Sequence, residues 1–144
     1  MTKFEILSLG IASLAIIISF VSLYLNFQDK PSLKIISEFV PSSDFGSAYI
    51  ALSIINAGKR PLIVRMWGGN DEDGNWAGTF LGDEKKGLRL GEKERHDIAL
   101  YKKDMIAELP DDELTFRELW IEDSLGKRYD IANSKNYVTK LLSE

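Results

Sequence analysis

At 144 residues the chain has room for one modest domain and a short appendage. Its formal charge is −4; leaving Lys3, Lys30, Glu5 and Asp29 out of the totals of 18 basic and 22 acidic side chains puts 16 against 20 from residue 32 onward, with the signs interspersed. That pattern gives no continuous positive field for a phosphate backbone and argues against nucleic acid as a partner, while the absence of cysteine excludes disulfides, thiol catalysis and thiolate metal sites.

The hydrophobic residues are concentrated at the start. Ile6 to Asn26 holds no Asp, Glu, Lys or Arg. The 20 residues from Ile6 to Leu25 form a helix of roughly 30 Å at about 1.5 Å per residue, the thickness of a bilayer's hydrocarbon core. A cleaved signal peptide needs a shorter apolar core and a small-x-small exit, and Tyr24-Leu25-Asn26-Phe27-Gln28 has no such site. The segment 1–30 therefore predicts a single transmembrane helix, with Tyr24 and Phe27 at the interface and Asp29-Lys30-Pro31 ending it. Lys3 precedes the span and Lys30 and Lys34 follow it, so the basic-residue count places the C-terminal domain in the cytoplasm by a margin of one charge. Ser8, Ala12, Ala15, Ser19 and Ser22 follow at spacings of 4, 3, 4 and 3. This is the period of a left-handed supercoil, and small residues permit close helix approach in lipid, so the stripe predicts an oligomer seam.

Residues 31–144 read as β structure. Leu33 to Val40 is the first strand, Pro41 to Gly46 a loop, and Ala48 to Ile55 a second strand with Ile50, Leu52 and Ile54 on one face. A turn at Asn56 to Pro61 leads to Leu62–Trp67, where Leu62, Val64 and Met66 alternate against Ile63, Arg65 and Trp67. In the acidic stretch Gly69 to Asn75, Asp73-Gly74 signals a type I′ hairpin that sets Trp67 opposite Phe80 and Gly69 opposite Gly78. The same stretch imitates a calcium loop, yet EF-hand spacing would put Gly69 and Phe80 where carboxylates are required. Asp83 to Lys86 is a turn, Gly87 to Leu90 a short strand, and Arg95 to Tyr101 a strand with His96, Ile98 and Leu100 on one face. Lys103 to Leu109 predicts a helical turn stopped by Pro110. Leu114 to Glu122 changes phase, which a bulge near Arg117 and Glu118 would reconcile. Ser124 to Lys127 turns the chain into Arg128–Ile131, and Ser134 caps a terminal helix with Tyr137, Val138, Leu141 and Leu142 on its apolar face. Seven or eight short strands at such spacing predict a mainly β, antiparallel, immunoglobulin-like β-sandwich with a short C-terminal helix.

Catalytic chemistry finds little support. His96 is the only histidine, so a metal site or hydrolase would have to combine it with Asp97 or Ser124, and no nucleophile-elbow motif accompanies them. Gly126-Lys127 lacks the rest of a phosphate loop, and Asp111-Asp112 and Glu122-Asp123 read as solvated turn residues. No cofactor or metal is expected. Trp67, Trp76 and Phe80, with Trp120, are the candidate binding residues if they face outward, and Lys59-Arg60 is a basic turn suited to lipid headgroups. The expected function is a membrane-tethered, non-enzymatic β-sandwich that binds a protein partner and oligomerises through its span. A membrane-anchored hydrolase or metal-dependent enzyme using His96, and a bilayer-perturbing effector with a sensing domain, are the competing readings.

Overall fold

The computed structural model describes residues 1–144. Its first element, α1 (Lys3–Gln28), opens on a reciprocal cap: the Glu5 N–H donates to Thr2 Oγ1 at 3.2 Å and the Thr2 N–H to the Glu5 carboxylate at 2.7 Å. Asp29 closes it, its N–H reaching Leu25 O. No residue of α1 is buried, and the helix is long and apolar enough to cross a membrane.

Strand accounts for 41% of residues and helix for 28%, so the chain is mainly β. The strands are β1 (Leu33–Val40), β2 (Tyr49–Asn56), β3 (Leu62–Asn70), β4 (Trp76–Phe80), β5 (Leu88–Leu90), β6 (Arg95–Tyr101), β7 (Ile106–Glu108), β8 (Glu113–Thr115), β9 (Glu118–Asp123) and β10 (Arg128–Asp130). A three-stranded antiparallel sheet has the order β1-β2-β6, a five-stranded one the order β10-β9-β3-β4 with β5 also on β3, and β7 pairs with β8. Inner-face residues of the two larger sheets meet in one cluster: Ile50, Leu52 and Ile54 of β2, Leu100 of β6, Leu62, Val64 and Trp67 of β3, and Leu119 and Ile121 of β9. Each such Leu or Ile stabilises the fold by about 1.5–3 kcal/mol over its exposed state. The helix α2 (Ser134–Ser143) adds Val138 and Leu141, both fully buried.

Five local expectations are corrected. The β3 alternation breaks at Arg65, where two residues face one on β9 (Val64↔Asp123, then Met66↔Glu122). This bulge turns Trp67 into the core with Leu62 and Val64 and moves Met66 to the other face. The β3–β4 register is one residue from the expected one: Met66 faces Phe80, Trp67 faces Thr79 and Gly68 faces Gly78. The cause is the turn. The Asp71 carboxylate accepts the N–H groups of Asp73 and Asn75, both at 2.9 Å, and of the non-glycine turn residues none has positive φ, so the type I′ geometry gives way to a longer loop with only Gly74 left-handed (φ 85°). The phase change at Arg117 is a break between β8 and β9, which pair with different neighbours, and the predicted helical turn is a 3₁₀ turn, Lys102–Met105, running into β7. Ser134 does not cap α2. Asn133 holds the cap position, and the buried Ser134 hydroxyl instead accepts the Leu119 N–H at 3.1 Å.

The joint between α1 and the sheets is built on Asn56, which is fully buried. Its amide nitrogen donates to Arg60 O (2.7 Å) and Leu90 O (3.1 Å), and its oxygen accepts the Gly58 N–H at 3.0 Å. The Ala57 N–H donates to Ser32 O at 2.7 Å. Gly58 is required by close approach: a Cβ there would collide with Lys30 O and stand 2.6 Å from Ser32 N.

Candidate functional site

The outer face of the five-stranded sheet holds the most distinctive side-chain cluster. Alternation along β3, β4, β9 and β10 brings Met66, Gly68 and Asn70 beside Trp76, Gly78 and Phe80 on one flank and Trp120, Glu122 and Arg128 on the other. The paired Gly68 and Gly78 leave a flat channel for the Trp120 ring. A Cβ on Gly68 would stand 2.6 Å from Trp120 Cη2, and one on Gly78 2.8 Å from Met66 Sδ. Trp120 is thereby buried on a face with no sheet above it, its indole N–H donating to Asn70 Oδ1 at 3.0 Å.

Arg128 covers this ring. Its guanidinium lies 3.9 Å from the Trp120 centroid and 4.4 Å from that of Trp76, and its Nε donates to Glu122 at 3.0 Å. Trp76 meets Trp120 edge-on at 5.9 Å. Glu122 also faces Arg65 at 3.5 Å, and Arg65 sits 5.7 Å above the Phe80 ring. The carboxylate thus fixes two arginines, each of which orders an aromatic ring. Trp76 and Phe80 remain exposed, 53% and 40%. Beside Trp76 an open cavity of about 510 Å³ lies between the β3–β4 loop and the β7–β8 hairpin, with Asp71, Asp112 and Glu113 in its wall. The Asn75 side-chain amide, and then the backbone N–H groups of Asn75, Asp73 and Gly74, hold the Asp71 carboxyl below its ordinary value against a smaller opposing effect of desolvation. The arrangement suits non-covalent recognition through aromatic faces and fixed charges.

Of the three aromatic residues expected to bind, Trp76 and Phe80 share this face. Trp67 does not: the Arg65 bulge sends it inward, 7% exposed and edge-on to Phe116 at 6.1 Å. Glu122 and Asp123, expected as solvated turn carboxylates, are instead buried at the end of β9, and Arg65 and Arg128 were missed by sequence reasoning; the one available signal was the two-residue alternation of Glu122 with Trp120.

The residues considered for catalysis are dispersed. His96 lies half-buried opposite Ile54 in the three-stranded sheet, and exposed Ser124 follows β9 in the other. Asp97 turns to the outside, accepting from Ser53 Oγ and Arg95 Nε, both at 2.6 Å, and these partners hold its carboxyl below the ordinary value. No three His, Asp or Glu side chains gather at metal-binding geometry. On α1, Ser8, Ala12, Ala15, Ser19 and Ser22 are all exposed, and the Ser19 hydroxyl donates within its own helix to Ala15 O at 2.8 Å. No protein-family model matches the chain, and no curated protein matches it in sequence.

Proposed function

We propose that the chain is a single-pass membrane protein whose domain, an immunoglobulin-like β-sandwich on the cytoplasmic side, binds a protein partner through the Trp76–Phe80–Arg128 face without catalysing a reaction. The observation that carries the reading is Trp76: half exposed, yet held by Trp120 and Arg128 in one orientation, it offers aromatic area at little ordering cost. The sandwich is supported by two sheets that share one core cluster. The span is supported by a 26-residue helix with no buried side chain, long and apolar enough to cross a membrane. Orientation rests on Lys30 and Lys34 after the helix against Lys3 before it.

The partner reading is tested by quantitative capture from native membranes. The chain is expected to retain a protein that Trp76→Ser/Phe80→Ser loses and Lys140→Ala keeps; equal capture by all three refutes the face. The stripe Ser8, Ala12, Ala15, Ser19 and Ser22 is proposed to join two copies of α1. Ala12→Leu with Ser19→Leu is expected to abolish crosslinked oligomers in detergent, and an unchanged ratio of monomer to oligomer removes the seam.

A further inference from the structure

We infer that the end of the domain nearest α1 rests on the headgroups of anionic phospholipids, with the turn Ala57–Arg60 and the turn Ser124–Lys127 as its two points of contact. The inference rests on the membrane-spanning reading of α1. Strand pairing places both turns at that end. Leu33, the first residue of β1 after α1, faces Asn56 at the end of β2, and β3 begins just beyond the following turn. The Ser124 N–H donates to Ile63 O at 2.9 Å, which puts the β9–β10 turn beside the start of β3. Both turns also lie on the side where the helix enters: Ser37 of β1 donates to Ala132 O just past β10 at 2.9 Å, and β1 is the sheet edge opposite β6.

The chemistry of the two turns is that of a lipid surface contact. Arg60 donates to Asn26 Oδ1 at 3.2 Å and Lys59 lies 3.8 Å from the Asp29 carboxylate, so two cations are held against the last turn of α1. Lys30 adds a third, 4.2 Å over the Phe27 ring. In the other turn Leu125 is 91% exposed, followed by exposed Lys127. The Asp123 carboxylate shapes this tip, accepting the N–H groups of Leu125 (2.9 Å) and Lys127 (3.0 Å) and the Tyr129 hydroxyl (3.1 Å). A lone exposed leucine means little by itself; one presented on a fixed turn, beside a lysine and on the membrane side, is an insertion point for the headgroup layer.

Distance forces the issue. Only Lys30, Pro31 and Ser32 separate the Asp29 cap from β1, and three extended residues reach about 10 Å at most. A charge at that height remains within about one Debye length of the surface, roughly 8–10 Å at physiological salt. At the far end the β3–β4 loop carries Asp71, Glu72 and Asp73, and the β7–β8 turn Asp111 and Asp112. An anionic surface therefore attracts the near end and repels the far one. Glu92 and Glu94 also lie at the near end, in the β5–β6 turn on the side away from β1.

Because the chain has no cysteine, single cysteines can be labelled in the full-length protein. Leu125→Cys, Phe45→Cys at the far end and Ile17→Cys in α1 would each carry an environment-sensitive fluorophore, in nanodiscs of phosphatidylcholine with or without phosphatidylglycerol. The expected result is a blue shift and loss of emission at position 125 with headgroup-quencher lipids in anionic discs, reduced in neutral discs and by Lys59→Ala/Arg60→Ala/Lys127→Ala, with position 45 unaffected. Quenching at 125 no greater than at 45, or equal in both kinds of disc, overturns the seating, and the spanning reading stands if position 17 is quenched from the acyl chains. An unquenched position 17 removes the span and the seating with it.

Discussion

The two faces of the five-stranded sheet pair tryptophan edge-on alike, but only the outer one leaves a tryptophan exposed. On the inner face Trp67 meets Phe116 edge-on at 6.1 Å; on the outer face Trp76 meets Trp120 edge-on at 5.9 Å. Each face uses a glycine of the Gly68-Gly69 pair: a Cβ on Gly69 would stand 2.6 Å from Phe116 Cγ, and one on Gly68 the same distance from Trp120 Cη2. Ring geometry therefore does not decide burial. The cover over each ring does: the inner pair lies in the shared core of the two sheets, while on the outer face Trp120 is buried beneath Arg128 and Trp76 stays 53% exposed. Aromatic area in the first position holds the fold, and in the second it is available to another molecule.

The comparison breaks most visibly at Trp67. Trp67→Ala is expected to cost about 3–5 kcal/mol, from lost transfer energy and the cavity left behind. Urea unfolding of the full chain in detergent measures it, and a loss below about 1 kcal/mol would mean that the inner face is not a core. Gly68→Ala comes next: the new methyl meets Ala77 O and the Trp120 ring, an overpacking worth about 1–3 kcal/mol, with a change in near-UV circular dichroism as Trp120 shifts. Trp76→Ala is expected to cost about 1 kcal/mol or less in the same unfolding experiment, because an exposed ring loses only its edge contact and a weak cation–π pair. If Trp76→Ala and Trp67→Ala destabilise equally, the distinction between the faces fails.

The smallest effect belongs to the outer face of the other sheet. Ser53 first, then Arg95, hold the Asp97 carboxyl below its ordinary value. Its contribution to stability is fully present above the ordinary carboxylate range and is lost as pH falls through the lowered folded-state value. Asp97→Asn is expected to flatten that acid limb by slightly lowering stability at neutral pH while leaving it unchanged in acid, and carboxyl NMR should show Asp97 titrating below its value in the urea-unfolded chain.

Long periodic segments were legible in the sequence because a single physical cause set each of them. The uncharged run made α1, the alternation of Ile50, Leu52 and Ile54 marked the buried face of β2, and the spacing of Val138 and Leu141 marked the inner side of α2. Single-residue events were not legible. One extra residue at Arg65 reversed Trp67 and Met66, and the capture of two backbone N–H groups by Asp71 moved the β4 register by one. Because the side-chain period of a strand is two, each slip changes which residues are neighbours across a face. The outer cluster depended on both, so its aromatic members could be named while Arg65 and Arg128 could not, and Glu122 was read as solvated where it is buried. Ser134 misled for a related reason: its hydroxyl serves a β9 N–H that lies fifteen residues away, a partner that local sequence does not reveal.

The Asn56 joint carries a mechanical consequence. With Gly58 packed against the Lys30 and Ser32 backbone and Arg60 bonded to Asn26, the domain has no free swivel at the base of α1. Rotation of that helix about its own axis turns the sheets with it, so the compass bearing of Trp76 is fixed by the helix's angular setting, and two helices locked at one angle would point their Trp76 faces in a fixed relation to each other.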